Sequence, residues 1–163
     1  MQIHARSGAE APIPECDVLY VSAASAEPLG VWLDALHCEG RLLFPLEPEG
    51  EGGQMLLVTR YSDQSYGARF ICGVQFVSCI GTQNPHASSA LAAAFKRGHF
   101  SAVRSLHRND APDESCWHAG RGWWLSYAAL ANQPCGSVEI AESNARTGDL
   151  EAKRSDLERY EKK

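Results

Sequence analysis

Apolar and polar positions follow two spacings in the amino-terminal part of the chain. Val18–Val21 and Leu42–Leu46 are short apolar runs, bounded by turn residues and rich in Val, Leu and aromatics. That pattern predicts strands buried on both faces, as in a parallel sheet. Between them Leu29, Trp32, Leu33 and Leu36 fall at i, i+3, i+4 and i+7, which is one face of a helix. Pro28 suits the first turn of that helix and Gly40 suits its stop. Strand, helix and strand over about thirty residues make a βαβ unit, with a right-handed crossover expected. Ligands of open α/β sheets bind beyond the carboxyl ends of the strands. Here that end is Ser22-Ala23-Ala24-Ser25, whose small side chains either admit a ligand to the backbone or simply turn the chain.

Further on, Gln54–Arg60 and Ala68–Val77 read as two antiparallel strands at one edge of the sheet, joined by a hairpin-type loop over Tyr61–Gly67. Glu47–Gly53, EPEGEGG, has no Lys and no following helix with Ser or Thr, so it is a solvated turn rather than a phosphate cradle. Ser88 or Ser89 caps a helix over Ala90–Arg97 that Gly98 ends. Phe100–His107 is strand-like. Cys116–Ser126 carries three of the four tryptophans around Gly120-Arg121-Gly122 and reads as a strand with a break or a tight hairpin, expected to pair with Val103–His107. It either seals one end of the core or lines a cleft. At the start of the chain, Gln2–Ala5 is strand-like, and Ile13 between two prolines is an extended connector. The tail from Glu139 to Lys163 has a thin stripe, Leu150, Leu157 and Tyr160, and i, i+4 ion pairs. It predicts a solvated helix or disorder. The division is therefore 1–127 as an α/β domain and 128–163 as a charged tail.

Composition narrows the partners. The chain has 163 residues, 44% of them hydrophobic, enough for one domain with a sizeable core. A net charge of −5 argues against nucleic acid. The apolar runs fall far below the roughly 20 residues of a membrane span, so no membrane partner is expected. Met1–Pro14 places acids and prolines where a signal peptide needs an apolar core, which makes the cytoplasm the default location. Six cysteines without a CxxC pair are expected to be free thiols packed as small hydrophobes. Cys116-x-His118 has no second ligand cluster, so no metal site is expected. There is no G-x-S-x-G elbow, Cys79 has no sequence-local base, and no nucleophile–base pair is visible.

Four pieces of the chain, in order, resemble the carboxyl-side half of the S-adenosylmethionine-dependent domain of protein-L-isoaspartate O-methyltransferases. Asp17–Ala24, DVLYVSAA, is similar to the family's fourth strand and the turn after it. Leu33–Leu46, LDALHCEGRLLFPL, is similar to its LxxLKPGGRLxxPL helix, turn and strand. Gln54–Arg60, QMLLVTR, resembles the next strand, and Val74–Val77, VQFV, the late VxFVP strand. The likeness covers roughly Ala5 to Gly81 and is looser from Ser88 to Ser126. The family's glycine-rich cofactor loop and its upstream Ser-x-Pro segment are not in this chain. Ser7-Gly8 stands where the family usually has Asp-Gly, so a carboxylate is lost there.

The resemblance implies a partial Rossmann-like methyltransferase sheet with an antiparallel edge. It implies methyl transfer from S-adenosylmethionine to a carboxylate, with an isoaspartyl protein or peptide as substrate. It places Ser7 and Gly8 near the adenine, Ser22, Ala23 and Ala24 beside the cofactor, and Glu27 and Pro28 at the start of the helix beside the cleft. No side chain is assigned to catalysis. The donor sulfonium is already activated and a carboxylate acceptor is already ionised, so positioning carries most of the chemistry. The reading is of an amino-terminally shortened family member. The alternative is a non-catalytic binding module derived from such a domain, self-associating or paired with a chain that supplies the missing half.

Overall fold

The computed structural model describes residues 7–130. The predicted strand at Gln2–Ala5, and the tail beyond Leu130, lie outside them. The fold class is α/β, as the sequence indicated. One mixed seven-stranded sheet runs in the order β1-β2-β3-β4-β5-β7-β6. Its first two strands, β1 (Cys16–Tyr20) and β2 (Leu36–Leu46), are parallel. The remaining neighbours, β3 (Gly53–Arg60), β4 (Ser65–Val74), β5 (Ser105–Arg108), β6 (Cys116–Gly120) and β7 (Trp123–Ser126), pair antiparallel.

The βαβ unit is present with a much smaller helix than predicted. Helix α1 spans only Gly30–Asp34, with Leu29 as its cap. Pro28 therefore precedes the helix, and Leu36 belongs to β2. The cause is tertiary. The carbonyls that a longer helix would use internally are taken by other elements: Arg60 Nη1 donates to Asp34 O at 3.3 Å and to Leu36 O at 2.6 Å. Cys16 N–H donates to Ala35 O at 2.8 Å. Gly40, predicted to stop a helix, instead sits in a bulge of β2. Between Leu36 and Arg41, β2 runs out of step with β1. A Cβ on Gly40 would lie 2.7 Å from the His37 carbonyl oxygen, so only glycine fits there.

Other boundaries shift too. Helix α2 spans Pro85–Arg97, longer than predicted. Asn84, rather than Ser88 or Ser89, is the cap, accepting from the Ala87 N–H, with Pro85 in the first turn. Gly98 ends it at φ 77°, as expected. Phe100–Ala102 is a 3-10 turn rather than strand, and pairing begins only at Ser105. Strand β4 ends at Val74, so Gln75–Val77 is not strand, and the connection to β3 shortens to residues 61–64. These two strands lie inside the sheet, not at its edge, because β5 continues from β4. The Trp-rich hairpin forms and pairs with β5 as predicted.

Both helices lie on one face. Trp32 of α1 packs on Phe44 at 5.5 Å, and Phe95 of α2 meets Phe70 edge-on at 5.8 Å. Phe70, Phe95, Phe100 and Trp117 form one aromatic cluster. Leu42, Phe44, Leu46, Leu56, Val58, Leu106 and Leu125 complete that core. Trp117 and Trp123 are buried in that core, so the hairpin seals it, while Trp124, also buried, stacks on His107 on the other face. The opposite face of β1 is open, which corrects the expectation of a strand buried on both sides: Val18 is 66% and Tyr20 56% exposed.

Candidate functional site

Beyond the carboxyl end of β1 lies an open cleft of about 370 Å³. Ser7, Gly8 and Glu10 line it from the segment before β1. Leu19, Tyr20, Val21, Ser22 and Ala23 line it from the end of the strand, together with Ile13, Trp32 and Cys79. The structure thus brings together four of the residues expected beside a cofactor: Ser7, Gly8, Ser22 and Ala23. Local bonds fix the walls. The Trp32 indole N–H donates to the Gly8 carbonyl at 2.8 Å, which ties the incoming segment to α1. Ser7 Oγ accepts from the Ala9 N–H at 3.2 Å and donates to Ile80 O at 3.5 Å. Ala24 and Cys79 are joined by the Cys79 N–H to Ala24 O bond at 2.8 Å.

The lining offers the exposed Tyr20 ring, hydroxyls, backbone groups and one carboxylate, Glu10, with Trp32 buried behind it, and no cationic side chain. It suits a flat, largely apolar ligand that is neutral or positively charged. No acid–base pair lines it, so its chemistry is binding and orientation rather than proton transfer.

Ala24, Glu27 and Pro28 lie elsewhere. Ala24 faces a separate polar niche of about 20 Å³, room for about one water, shared with Ser25, Glu47, Asn84 and Ser88. Ser25 Oγ donates to Glu27 O at 2.7 Å, and Asn84 Nδ2 donates to the Glu27 carboxylate at 3.4 Å, so Glu27 braces the cap of α2. Pro28 is buried. The niche also corrects the reading of Glu47 as part of a solvated turn. Glu47 is 3% exposed and accepts from the Phe76 N–H; burial pushes its carboxyl above the usual range.

One arrangement missed in the sequence lies within six residues, Ser105 to Asp110; only its stacking partner Trp124 depends on strand register. Ser105 and His107 stand two apart on β5 and therefore on one face, with Ser105 Oγ 3.0 Å from His107 Nε2. Asp110 Oδ2 is 3.6 Å from His107 Nδ1, and Trp124 stacks on the imidazole at 4.2 Å. The order resembles a nucleophile, base and acid, but Ser105 is 0% exposed and donates its hydroxyl proton to Ala128 O at 2.7 Å. It is a structural strut.

The cysteines differ from expectation at one described position. Cys16, Cys72, Cys79 and Cys116 are free, but Cys38 is disulfide-bonded. Cys135 lies outside the described residues. Among the described residues no three His, Cys, Asp or Glu side chains cluster to hold a metal ion, and no helix is long and apolar enough to cross a membrane.

No family model matches the chain. No curated protein matches it either. Among solved structures, it is similar to one described as a protein-L-isoaspartate O-methyltransferase (beta-aspartate methyltransferase) from Plasmodium falciparum, in complex with S-adenosyl-L-homocysteine. The identity is 24% and the TM-score 0.36, over 40% of this chain and 29% of that one.

Proposed function

We propose that the cleft beyond β1 binds the adenosyl part of S-adenosylmethionine, and that the chain is a methyltransferase-like α/β module whose acceptor is a carboxylate of a protein or peptide, an isoaspartyl residue being the first candidate. One observation carries this reading. Ser7 and Gly8, far from Ser22 and Ala23 in sequence, meet in one cleft at the carboxyl end of a parallel strand, where open α/β sheets bind ligands. Tyr20, 56% exposed, supplies aromatic surface for a purine, and Glu10 supplies negative charge that suits a hydroxylated ribose or a sulfonium. The motifs DVLYVSAA, LDALHCEGRLLFPL, QMLLVTR and VQFV support the same reading.

Titration calorimetry with S-adenosylmethionine and S-adenosylhomocysteine tests it. Micromolar binding of either supports the site, and methylation of an isoaspartyl peptide then tests the acceptor. A folded sample giving no heat at millimolar ligand overturns it. A second reading is a non-catalytic binding module derived from such a domain. Binding of the cofactor without turnover of any carboxylate acceptor distinguishes that case.

A further inference from the structure

The sheet face opposite the helices carries a second surface. Register sets two rows across it: Val18, Arg41, Thr59 and Gly67, and Tyr20, Leu43, Leu57 and Arg69. Ile71 follows Arg69 on the same side and is 49% exposed. Val18 and Tyr20 stand in solvent with Ile71, and Leu43 and Leu57 beside them are half-buried. A mainly antiparallel sheet can leave one face open, but that face is then ordinarily polar. A contiguous apolar patch of this kind marks an interaction surface.

Its charge is as specific as its shape. No position in either row is acidic, and Arg41 and Arg69 have no hydrogen-bond or ion-pair partner among the described residues. A groove of about 200 Å³ beside Leu57, Thr59 and Tyr61 brings Arg104 alongside Arg69. The chain as a whole has a net charge of −5, so this face is basic on an acidic protein. Residues 131–163 do not complement it: seven acids there are set against six basic side chains.

We infer that this face docks an acidic amphipathic helix of a partner protein. Its apolar stripe lies over Tyr20, Leu43, Leu57 and Ile71, and its flanking carboxylates pair with Arg41 and Arg69. A helix fits because a strand would add at the edge of the sheet, whereas a face is covered by the i, i+3, i+4, i+7 stripe of a helix. Tyr20 also lines the cleft beyond β1, so the two sites meet at that ring. The peptide test is run without cofactor, and its shifts at Leu43, Leu57 and Ile71, outside the cleft lining, separate docking from cofactor binding.

The test uses the full chain and three synthetic helical peptides that share one leucine stripe, flanked by Glu, by Gln or by Lys. Generic attraction to a protein of net charge −5 favours the Lys peptide. The inference requires the opposite order. The Glu peptide binds best, with amide shifts centred on Val18, Tyr20, Leu43, Leu57 and Ile71. The double variant Arg41→Glu/Arg69→Glu, with an unchanged melting profile, loses about tenfold for the Glu peptide and gains for the Lys peptide. If that variant does not fold, Arg41→Gln/Arg69→Gln replaces it and must lose the preference for Glu over Lys. Equal binding of the three peptides, or shifts elsewhere, overturns the inference. So does a dimer buried through this face in sedimentation, or contact of residues 131–163 with it.

Discussion

Both carboxylate oxygens of Glu47 accept from the Phe76 N–H, at 3.1 and 3.2 Å, and this contact ties the end of β2 to the segment that follows β4. The same segment is stitched to the stretch that follows β1, where the Ala24 N–H donates to Val77 O at 2.8 Å. The carboxylate therefore organises the rear wall of the cleft region while sitting almost out of water.

That position has a stability consequence. Burial raises the Glu47 carboxyl above its ordinary value of 4.5. The folded state then holds the proton more tightly than the unfolded state. The associated stability is present below the ordinary value and is lost as pH rises through the raised one. Glu47→Gln keeps an acceptor for Phe76 without the charge. We expect it to raise the urea midpoint at pH 7 and to leave it unchanged at pH 4. Glu47→Ala removes the acceptor and the charge together, and is expected to cost about 1 kcal/mol at pH 4 and less at pH 7.

His118 acts with the opposite sign. It is 6% exposed between Trp117 and Trp123, and burial, aided by the Arg97 charge, lowers its pKa to about 4. The unfolded state binds its proton more tightly, so stability is complete above pH 6.5 and falls as pH drops toward 4. At 1.36 kcal/mol per unit, the loss is about 3 kcal/mol. His118→Phe should flatten the acid limb of a urea-midpoint profile between those values. A titration of the His118 ring protons with a midpoint near 6.5 would rule out this account.

Ala23 tests the cleft without touching the core. It is half-buried at the end of β1, and a larger side chain there projects into the cleft. Ala23→Leu is expected to weaken S-adenosylhomocysteine binding by about tenfold or more with an unchanged melting temperature. Trp32→Phe removes the indole N–H donor to Gly8 and is expected to cost about 1 kcal/mol in stability and to loosen the Ser7–Glu10 wall. Calorimetry and thermal melts of both variants check this.

Arg108 joins three elements. Its Nη1 donates to Asp34 Oδ1 at 2.6 Å and to Tyr66 Oη at 3.2 Å, linking α1, β4 and β5. Its side chain is mostly buried, and truncation removes the donor to the Tyr66 hydroxyl, which keeps its own bond to Asp63 O at 3.1 Å. Arg108→Ala is expected to cost about 2 kcal/mol, and Arg108→Lys less, because a single nitrogen, Nη1, meets both acceptors and an ammonium also carries enough donors for two. Denaturant unfolding of the two variants measures it.

The strands were legible where side chains alternate or run apolar. QMLLVTR and the Trp-rich segment became β3 and the β6–β7 hairpin because their burial pattern follows from residue type at a period of two. Of the cleft, Ser7, Gly8, Ser22 and Ala23 were readable from motif and position, whereas Ile13, Tyr20, Trp32 and Cys79 join only through folding. Trp32 could have been found from its place beside the strand end; Cys79 carried no signal, since its approach depends on the loop after β4.

Sequence alone determined the α/β class, the parallel pair, the hairpin and its strand partner, because these rest on local periodicity and turn chemistry. Tertiary structure decided the rest. Leu29–Leu36 carries a helical stripe, yet α1 stops at Asp34, because Arg60 and the Cys16 N–H take the carbonyls that a longer helix would need. Val18 and Tyr20 look like core, yet they are exposed, because both helices pack on the opposite face of the sheet. A residue's periodicity fixes which side of an element it occupies; what lies against that side is set by partners far away in the chain.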